Sequence, residues 1–137
     1  MKVSIIILNY NSSADCRKCI GYLKQQKGVE LEIIVVDNCS RKSDCEIIKE
    51  LCEEHGCTFI ANKENRGYSA GNNIGLRYAA EHGYEYAVIV NPDMEFPQSE
   101  CFQKLVDLME KDKTIAVCSS DIVTPDINGV HQNPQYC

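Results

Sequence analysis

The sequence lacks three features that would place a protein in a broad class at once. No apolar run approaches the length of a helix that spans a bilayer. There is no basic stripe, and the formal net charge of -6 argues against nucleic acid as a partner. The amino terminus, MKVSIIILNYNS, has a short apolar run without the small-residue cleavage site of a signal peptide. We therefore expect a cytoplasmic protein, and attachment to the inner face of a membrane stays open.

Two common nucleotide-binding motifs are also missing. The sequence contains neither the G-x-G-x-x-G dinucleotide fingerprint nor the G-K-[ST] of a P-loop. An acidic protein can nevertheless hold a nucleotide, because backbone dipoles and a metal ion can bind phosphates.

Cysteine, in contrast, is abundant, with nine residues in 137. An odd number without a secretion signal indicates reduced thiols. The pair Cys16-x-x-Cys19 invites a zinc or redox interpretation, but no second pair of cysteines or histidines completes a tetrahedral site. Cys16 and Cys19 instead continue to Leu23 at helical spacing, which favours buried structural thiols.

Strand and helix signals alternate along a chain whose length suits a single domain. Strands are predicted at 3–8, 31–36, 57–60, 86–90 and 114–120. Helices are predicted from Ser12 or Ser13 to about Gln26, from a Ser43/Glu46 capping box to Gly56, from about Ser69 to His82 before Gly83, and from 97–99 to about Lys111. Asn128-Gly129 predicts a tight hairpin turn. The pattern indicates an α/β fold with a mainly parallel sheet and helices on both faces.

Polar residues follow each of the first four predicted strands, at 9–12, 37–40, 62–67 and 91–93. The carboxyl ends of parallel strands meet at one edge of a sheet, where ligands bind. These segments together predict a pocket. Asp37 could accept hydrogen bonds from a base or a sugar, or serve as a helix cap or loop acid, and both interpretations stay open.

The segment NRGYSAGNNIG places Gly67, Gly71 and Gly75 on one face of a helix. Such a face allows close approach of another backbone or a ligand. Arg66 precedes the helix N-terminus, where a phosphate is favoured. The alternative is tight packing of helix on sheet with a solvated arginine.

Asp93 and Glu95 follow an apolar strand and offer hard oxygen ligands. Mg²⁺ and Mn²⁺ take one or two protein carboxylates and complete their shell with water and phosphate. A turn at Asn91-Pro92 with solvated acids is the alternative. Because Asp93 is expected to lie opposite a candidate phosphate site, we favour a metal at Asp93. Glu95 is left as a supporting or solvated acid.

Four segments, in chain order, resemble those of family-2 glycosyltransferases, and the rhamnosyltransferase-like branch is the most similar. VSIIILNYNSS is similar to the family's first strand and uridine-side loop, and IIVVDNCS to its second strand with a base-contacting aspartate. NRGYSAGNNIGL is similar to the N-x-G-x-x-x-G-x-N-x-G segment, and VNPDMEF stands where the family has an Asp-x-Asp-type metal motif. The resemblance implies a truncated, Rossmann-like fold of the glycosyltransferase A type (GT-A).

The resemblance also implies a set of residues that bind the nucleotide sugar: Asn9, Tyr10, Asn11, Asp37, Asn38, Arg66, Gly67, Asn73, Asn91 and Asp93. Asn9, Asn11 and Asp37 would face the base and ribose. Arg66 and Asn73 would lie near the ribose-diphosphate. Asp93 would be the only residue of the motif that binds Mn²⁺ or Mg²⁺, because Asn91 replaces the motif's first acid and lacks its charge.

Family members are usually longer by roughly a hundred residues, still within one domain. We expect residues 1–137 to be the nucleotide-sugar-binding part, with the acceptor-binding C-terminal part absent. DINGVHQN, at 126–133, resembles the hairpin that opens that part. No catalytic residue is assigned in this chain, because the general base would lie beyond it.

The implied function is metal-dependent transfer of a sugar, with inversion, from a UDP- or dTDP-sugar to a hydroxyl of a saccharide or lipid-linked acceptor, in cell-wall or polysaccharide biosynthesis. We expect donor binding with little or no transfer, and both a homodimer and peripheral membrane association are compatible with this.

A receiver-type signalling module would need an acid pair where residues 9–11 read NYN, and a lysine near Ser119-Ser120. A nucleotidyltransferase would need a basic, glycine-rich loop in place of NYNSS. A non-catalytic nucleotide-binding domain stays an alternative.

Overall fold

The computed structural model describes residues 2–122, 124–126 and 129–131. The strands are β1 (Lys2–Asn9), β2 (Glu30–Asp37), β3 (Thr58–Ala61), β4 (Tyr86–Val90), β5 (Thr124–Asp126) and β6 (Gly129–His131). The helices are α1 (Ser13–Lys24), α2 (Lys42–His55), α3 (Tyr68–Glu81) and α4 (Cys101–Lys111). Within the described ranges, none of these helices has the length and apolar character needed to cross a membrane.

The main sheet has the strand order β3-β2-β1-β4, and every pairing in it is parallel. The chain moves outward from β1 to β3 and then returns to place β4 on the other side of β1. The direction of winding therefore reverses between β1 and β4. In open α/β sheets, a crevice opens at this point, beyond the carboxyl ends of the strands.

Helices cover both faces of the sheet, which confirms the predicted α/β class. On one face, β1 and β2 pack with α1, α2 and α4 around a core that includes Ile5, Ile20 and Phe102. On the other face, α3 packs over Ile6 and Ile34. Ile89 of β4 pairs with Ile6 and stays 42% exposed, so α3 leaves part of β4 uncovered.

The glycines of α3 explain how closely that helix approaches β1. A Cβ on Gly71 would lie 2.5 Å from Leu8 Cδ1, and one on Gly75 would lie 2.5 Å from Ile6 Cγ2. Both distances are far below van der Waals contact. These two glycines therefore serve helix–sheet packing, which was one of the two interpretations of the glycine face.

Two helix caps differ from the sequence prediction. Helix α2 begins at Lys42 after Arg41, and no side chain caps it, so the predicted capping box at Ser43 and Glu46 does not form. The Arg41 N–H is instead bound by Asn11 Oδ1 at 2.8 Å, from a different loop. Ser12 is at the N-cap of α1 but does not cap it through its side chain. Tertiary contacts, rather than local motifs, hold these helix starts.

The predicted fifth strand at 114–120 is wrong, because these residues form no strand. The segment pairs with no strand of the sheet, and Val117 is 87% exposed, so its apolar side chains lack the cover that would favour a strand. Further on, β5 and β6 pair antiparallel, as a hairpin requires. The turn predicted at Asn128-Gly129 falls partly on residues 127–128, which lie outside the described residues.

Candidate active site

Four strand ends meet at one edge of the parallel sheet and carry the polar segments predicted from the sequence. Strand β1 ends at Asn9, paired with Asp37 at the end of β2. Ala61 ends β3 beside Asp37, and Val90 ends β4 beside Ile7. The structure thus brings together at one edge the segments that follow these strands.

Asn9 is fully buried and joins three elements beneath this edge. Its Nδ2 donates to Asp37 Oδ1 at 2.8 Å and to Asp44 Oδ2 at 2.9 Å. Its Oδ1 accepts the Ser12 backbone N–H at 3.1 Å. Asp37 is 1% exposed, and its Oδ2 accepts the Ser40 N–H at 3.1 Å. Both side chains therefore support the loops above them, and their contacts with a base or ribose stay a prediction.

The half-buried Asp44 carboxylate completes this hydrogen-bonded group. Its Oδ1 accepts the Ser13 N–H at the start of α1, at 3.2 Å. Burial acts to raise the pKa of Asp44, but the hydrogen bonds from Asn9 and Ser13 prevail and lower it below its ordinary value of 3.8. Asp44 therefore stays ionised and fixes the start of α1 against α2.

Asn11 lies on the outer side of the same loop, with a positive φ of 52°. Its Oδ1 accepts from the Arg41 backbone N–H, and its own N–H donates to Ser40 Oγ at 2.9 Å. Asn11 thus ties the loop after β1 to the loop after β2. It does not line either of the cavities described next.

The larger cavity opens between the ends of β1 and β4 and has a volume of about 520 Å³. Five of the predicted site residues line it: Tyr10, Asn38, Gly67, Asn91 and Asp93. It also includes Asp15 and Tyr68, which the sequence prediction missed, and Asn65, which belongs to the predicted polar segment 62–67 but was not named as a site residue. We call it the switch-point cavity, because it lies where the winding of the sheet reverses.

A second cavity of about 420 Å³ adjoins it on the side of β3 and α3. Arg66 and Asn73 line this second cavity, together with Lys63 and Arg77. Asn38 is shared by both cavities. Arg66 and Asn73 therefore line a neighbouring cavity to that of Asn91 and Asp93, and the prediction that all four surround one donor stays a prediction. Arg66 Nε lies 3.5 Å from Glu64 Oε1, and both side chains are largely exposed.

Asn38 lies between the two cavities and links the segments around them. It is 3% exposed, its Oδ1 accepts from Asn62 Nδ2 at 3.0 Å, and its Nδ2 donates to Asn65 Oδ1 at 3.0 Å. Asn65 Oδ1 also accepts the Gly67 N–H at 2.9 Å. Gly67 has a φ of 92°, a conformation that suits glycine, and it precedes the first residue of α3.

Two exposed tyrosines line the switch-point cavity. Tyr10 is 52% exposed and follows β1, while Tyr68 is 57% exposed and begins α3. The Tyr68 hydroxyl donates to Asn91 Oδ1 at 3.0 Å. One signal for Tyr68 was present in the sequence, since it directly follows Gly67 in the glycine segment.

The acids of this cavity come from two elements. Asp15 belongs to the first turn of α1, and Asp93 to the turn after β4, where the Met94 N–H donates to the Asn91 backbone oxygen at 3.1 Å. Burial, and then the charge of Asp93, raises the pKa of the Cys19 thiol to about 12. Asp93 therefore lies close enough to α1 for its field to reach a buried group there. Glu95 accepts from the Tyr22 hydroxyl at 3.2 Å and does not line the cavity.

The acids of the switch-point cavity are the candidate ligands for a divalent metal ion. Within residues 2–122 and the described hairpin strands, no three His, Cys, Asp or Glu side chains form a group that could hold a metal. Asp93 and Asp15 do line one cavity, and one or two carboxylates suffice for Mg²⁺ or Mn²⁺ when phosphate oxygens supply further ligands. The residues therefore fit a metal that binds together with a phosphorylated ligand.

A model of the family described as Glycosyl transferase family 2 matches residues 4–136. The chain belongs to glycosyl transferase family 2. Relatives of this family-2 chain include the low-salt glycan biosynthesis hexosyltransferase Agl10 of Haloferax volcanii, which is 33% identical over 99 residues, 72% of this chain and 30% of that protein. The uncharacterized glycosyltransferase YibD of Escherichia coli is 29% identical over 120 residues, 88% and 34% of the two chains. The chain thus spans about a third of the length of these curated relatives.

Solved structures confirm the GT-A fold of this family-2 chain. The mannosyltransferase PcManGT from Pyrobaculum calidifontis, in complex with GDP-Man and Mn²⁺, has a TM-score of 0.68 and 24% identity, over 78% of this chain and 32% of that one. S. aureus TarS 1-349, in complex with UDP, has a TM-score of 0.68 and 22% identity, over 82% and 33%. The resemblance to family-2 glycosyltransferases is confirmed, and the receiver-type alternative is not favoured.

Proposed function

We propose that this chain is the donor-binding part of a glycosyltransferase and that the switch-point cavity holds the nucleoside diphosphate of a UDP- or dTDP-sugar. The observation that carries the proposal is the meeting of Tyr10, Asn91 and Asp93 in one cavity at the reversal point of the sheet. A volume of about 520 Å³ falls in the range of small-molecule sites. The nucleotide-bound state of the two structural relatives supports the same ligand class.

The base is proposed to lie between aromatic and amide groups. Tyr10 offers an exposed ring for stacking, and Asn38 is a buried amide on the cavity floor. The Nδ2 of Asn38 is already engaged by Asn65 and Gly67, so this amide can offer the base only the second lone pair of Oδ1, which also accepts from Asn62. Asn9 and Asp37 hold these two loops from below through the bonds already described.

The charge of the cavity favours a divalent metal with the diphosphate. Its described lining contains Asp15 and Asp93 but no lysine or arginine. A diphosphate placed against two carboxylates would be repelled unless a cation lay between them. We therefore propose that Asp93 binds Mn²⁺ or Mg²⁺ together with the diphosphate oxygens, and that the metal, when bound, neutralises charge on the leaving diphosphate.

The proposed reaction is transfer of the sugar to an acceptor hydroxyl with inversion. The acceptor oxygen forms a bond to the anomeric carbon, and the bond from that carbon to the diphosphate oxygen breaks with its electron pair. The proton of the hydroxyl passes to a general base, a role that we assign to none of the described residues. We accordingly expect this chain to bind the donor.

Calorimetric titration of the chain with UDP and dTDP, with and without Mn²⁺, tests the proposal. We expect binding that is strongest with Mn²⁺, and we expect Asp93→Asn to remove the gain from the metal. Glu95→Gln is the matched control, because it removes an acid two residues away that does not line the cavity. Failure of every nucleoside diphosphate to bind would overturn the proposed function, and a metal dependence that survives Asp93→Asn would overturn the role of Asp93.

A further inference from the structure

The turn after β4 presents an amide and a carboxylate, and the amide has a partner across the cavity. Asn91 Oδ1 accepts from the Tyr68 hydroxyl at 3.0 Å. With its oxygen engaged, the Asn91 amide has its Nδ2 donors left to offer. Asp93 lines the same cavity as Asn91.

We propose that Tyr68 is a positioning residue whose hydroxyl holds the Asn91 amide with Nδ2 toward the ligand and its oxygen away from a metal. The inference rests on the proposed function and extends it. Asn91 then donates a hydrogen bond to the bound nucleotide sugar, and Asp93 is the metal-binding side chain of the turn. An unrestrained Asn91 could instead turn its carbonyl oxygen, a ligand that hard cations accept, toward the metal.

The backbone at both ends of this bond is anchored, which places the Tyr68 hydroxyl opposite the Asn91 amide. Tyr68 begins α3, and its backbone oxygen accepts from Asn72 Nδ2 at 3.1 Å. The preceding Gly67 is held by Asn65, which Asn38 holds in turn. On the other side, Pro92 fixes the backbone directly after Asn91. The bond therefore links the start of α3 to the end of β4 along one wall of the cavity.

The hydrogen bond between Tyr68 and Asn91 is exposed in the free protein. Its effect on ligand binding can therefore be measured apart from its effect on stability. Exposed hydrogen bonds contribute little net free energy, because water competes for both partners. A ligand that fills the cavity displaces that water and lowers the local dielectric, so the restraint becomes stronger. Tyr68→Phe should therefore weaken ligand binding while the melting temperature stays as in the wild type.

A double-mutant cycle on UDP affinity in the presence of Mn²⁺ tests whether Tyr68 acts through Asn91. We expect Tyr68→Phe to weaken UDP binding by about three- to tenfold, the effect of one hydrogen bond. In an Asn91→Ala background, the same change should have no further effect, because the group it orients is gone. Effects of the two changes that multiply, or a Tyr68→Phe protein with wild-type affinity, would overturn the proposal.

A measurement on the free protein keeps this inference separate from the proposed function. The side-chain amide signals of Asn91 in a ¹H–¹⁵N spectrum should shift in Tyr68→Phe and stay unchanged in Tyr22→Phe, which removes an exposed hydroxyl bonded to Glu95. Unshifted Asn91 signals in Tyr68→Phe would overturn the inference about Tyr68 even if UDP binds. A chain whose Asn91 signals respond as expected but which binds no nucleotide would instead overturn the proposed function.

Discussion

Asn9 Nδ2 lies 2.8 Å from Asp37 Oδ1, and this buried bond joins the last residues of the two central strands. The pair sits directly beneath the loops that carry Tyr10 and Asn38. It explains how these two loops keep a defined separation at the edge of the sheet.

Replacing Asn9 should destabilise the protein strongly. Asn9→Ala removes the donor that Asp37 and Asp44 share and leaves the buried Asp37 carboxylate with one fewer partner. Buried polar groups that lose a partner cost about 1–3 kcal/mol each, so the free energy of unfolding should fall by about 2–4 kcal/mol. Urea denaturation measures it. Asn73→Ala, at an exposed helical position, is the control and should stay within about 0.5 kcal/mol of wild type.

The glycines of α3 and α1 should respond in opposite directions to alanine. Gly71→Ala places a Cβ 2.5 Å from Leu8 Cδ1, and the resulting strain should destabilise the fold by about 1–3 kcal/mol. At Gly21 of α1, an added Cβ would meet no neighbouring group of the described residues within 4 Å, so Gly21→Ala should stabilise the fold by about 0.5–1 kcal/mol. Thermal and urea unfolding compare the two. Equal effects of both changes would contradict the close approach of α3 to β1.

Asp44 should make stability fall at acid pH. Its pKa is lowered from 3.8 in the folded state, because hydrogen bonds from Asn9 and Ser13 outweigh the opposing effect of burial. The unfolded chain then takes up the proton first, so the stabilisation present above about pH 4 is lost as the pH falls through the folded-state pKa. Asp44→Asn should flatten the decline in unfolding free energy between about pH 5 and pH 2. Glu110 and Asp112 also have lowered pKa values, but both residues are present in the wild type and in Asp44→Asn. They therefore do not contribute to the difference between the two. An equally steep decline in the variant would contradict this role.

The cysteines should behave as thiols of graded accessibility rather than as metal ligands. Cys16 and Cys19 are fully buried, and burial raises the pKa of both thiols, whereas Cys39 is exposed. A thiol reagent at about pH 8 should label Cys39 quickly and label Cys16 and Cys19 only on unfolding. Mass spectrometry of labelled peptides measures the difference. Labelling of Cys16 and Cys19 that appears only when a zinc chelator is added would favour a metal site instead.

The fold was predictable because its apolar strands and glycine-terminated helices are marked by local sequence patterns. Gly56, for example, ends α2 in the left-handed conformation that its place in the sequence indicated. The segment 114–120 was not predictable in the same way, because an apolar run becomes a strand only where a neighbouring strand pairs with it. The caps of α1 and α2 depended on Asn11 and Asp44, which belong to segments distant in sequence from the helix starts they hold.

The candidate site was only partly predictable, for a related reason. The order of strand ends predicted the edge at which the polar segments meet, and five of the ten predicted residues line the switch-point cavity there. Side-chain direction could not be read from the sequence, so it did not reveal that Asn9 and Asp37 are buried and bonded to each other. Asp15 was not predicted to line the cavity, because an acid in the first turn of a helix usually interacts favourably with the helix dipole.

Paramagnetic broadening by Mn²⁺ in the presence of UDP locates the metal and the nucleotide in one measurement. If Asp93 binds the metal with the diphosphate, substoichiometric Mn²⁺ should broaden the backbone amide signals of residues 91–94 and of the turn around Asp15. The signals around Arg77, in the second cavity, should broaden far less, and Asp93→Asn should abolish the effect. Broadening centred on Arg66 and Arg77, or broadening that persists in Asp93→Asn, would contradict the assignment of the switch-point cavity as the donor site.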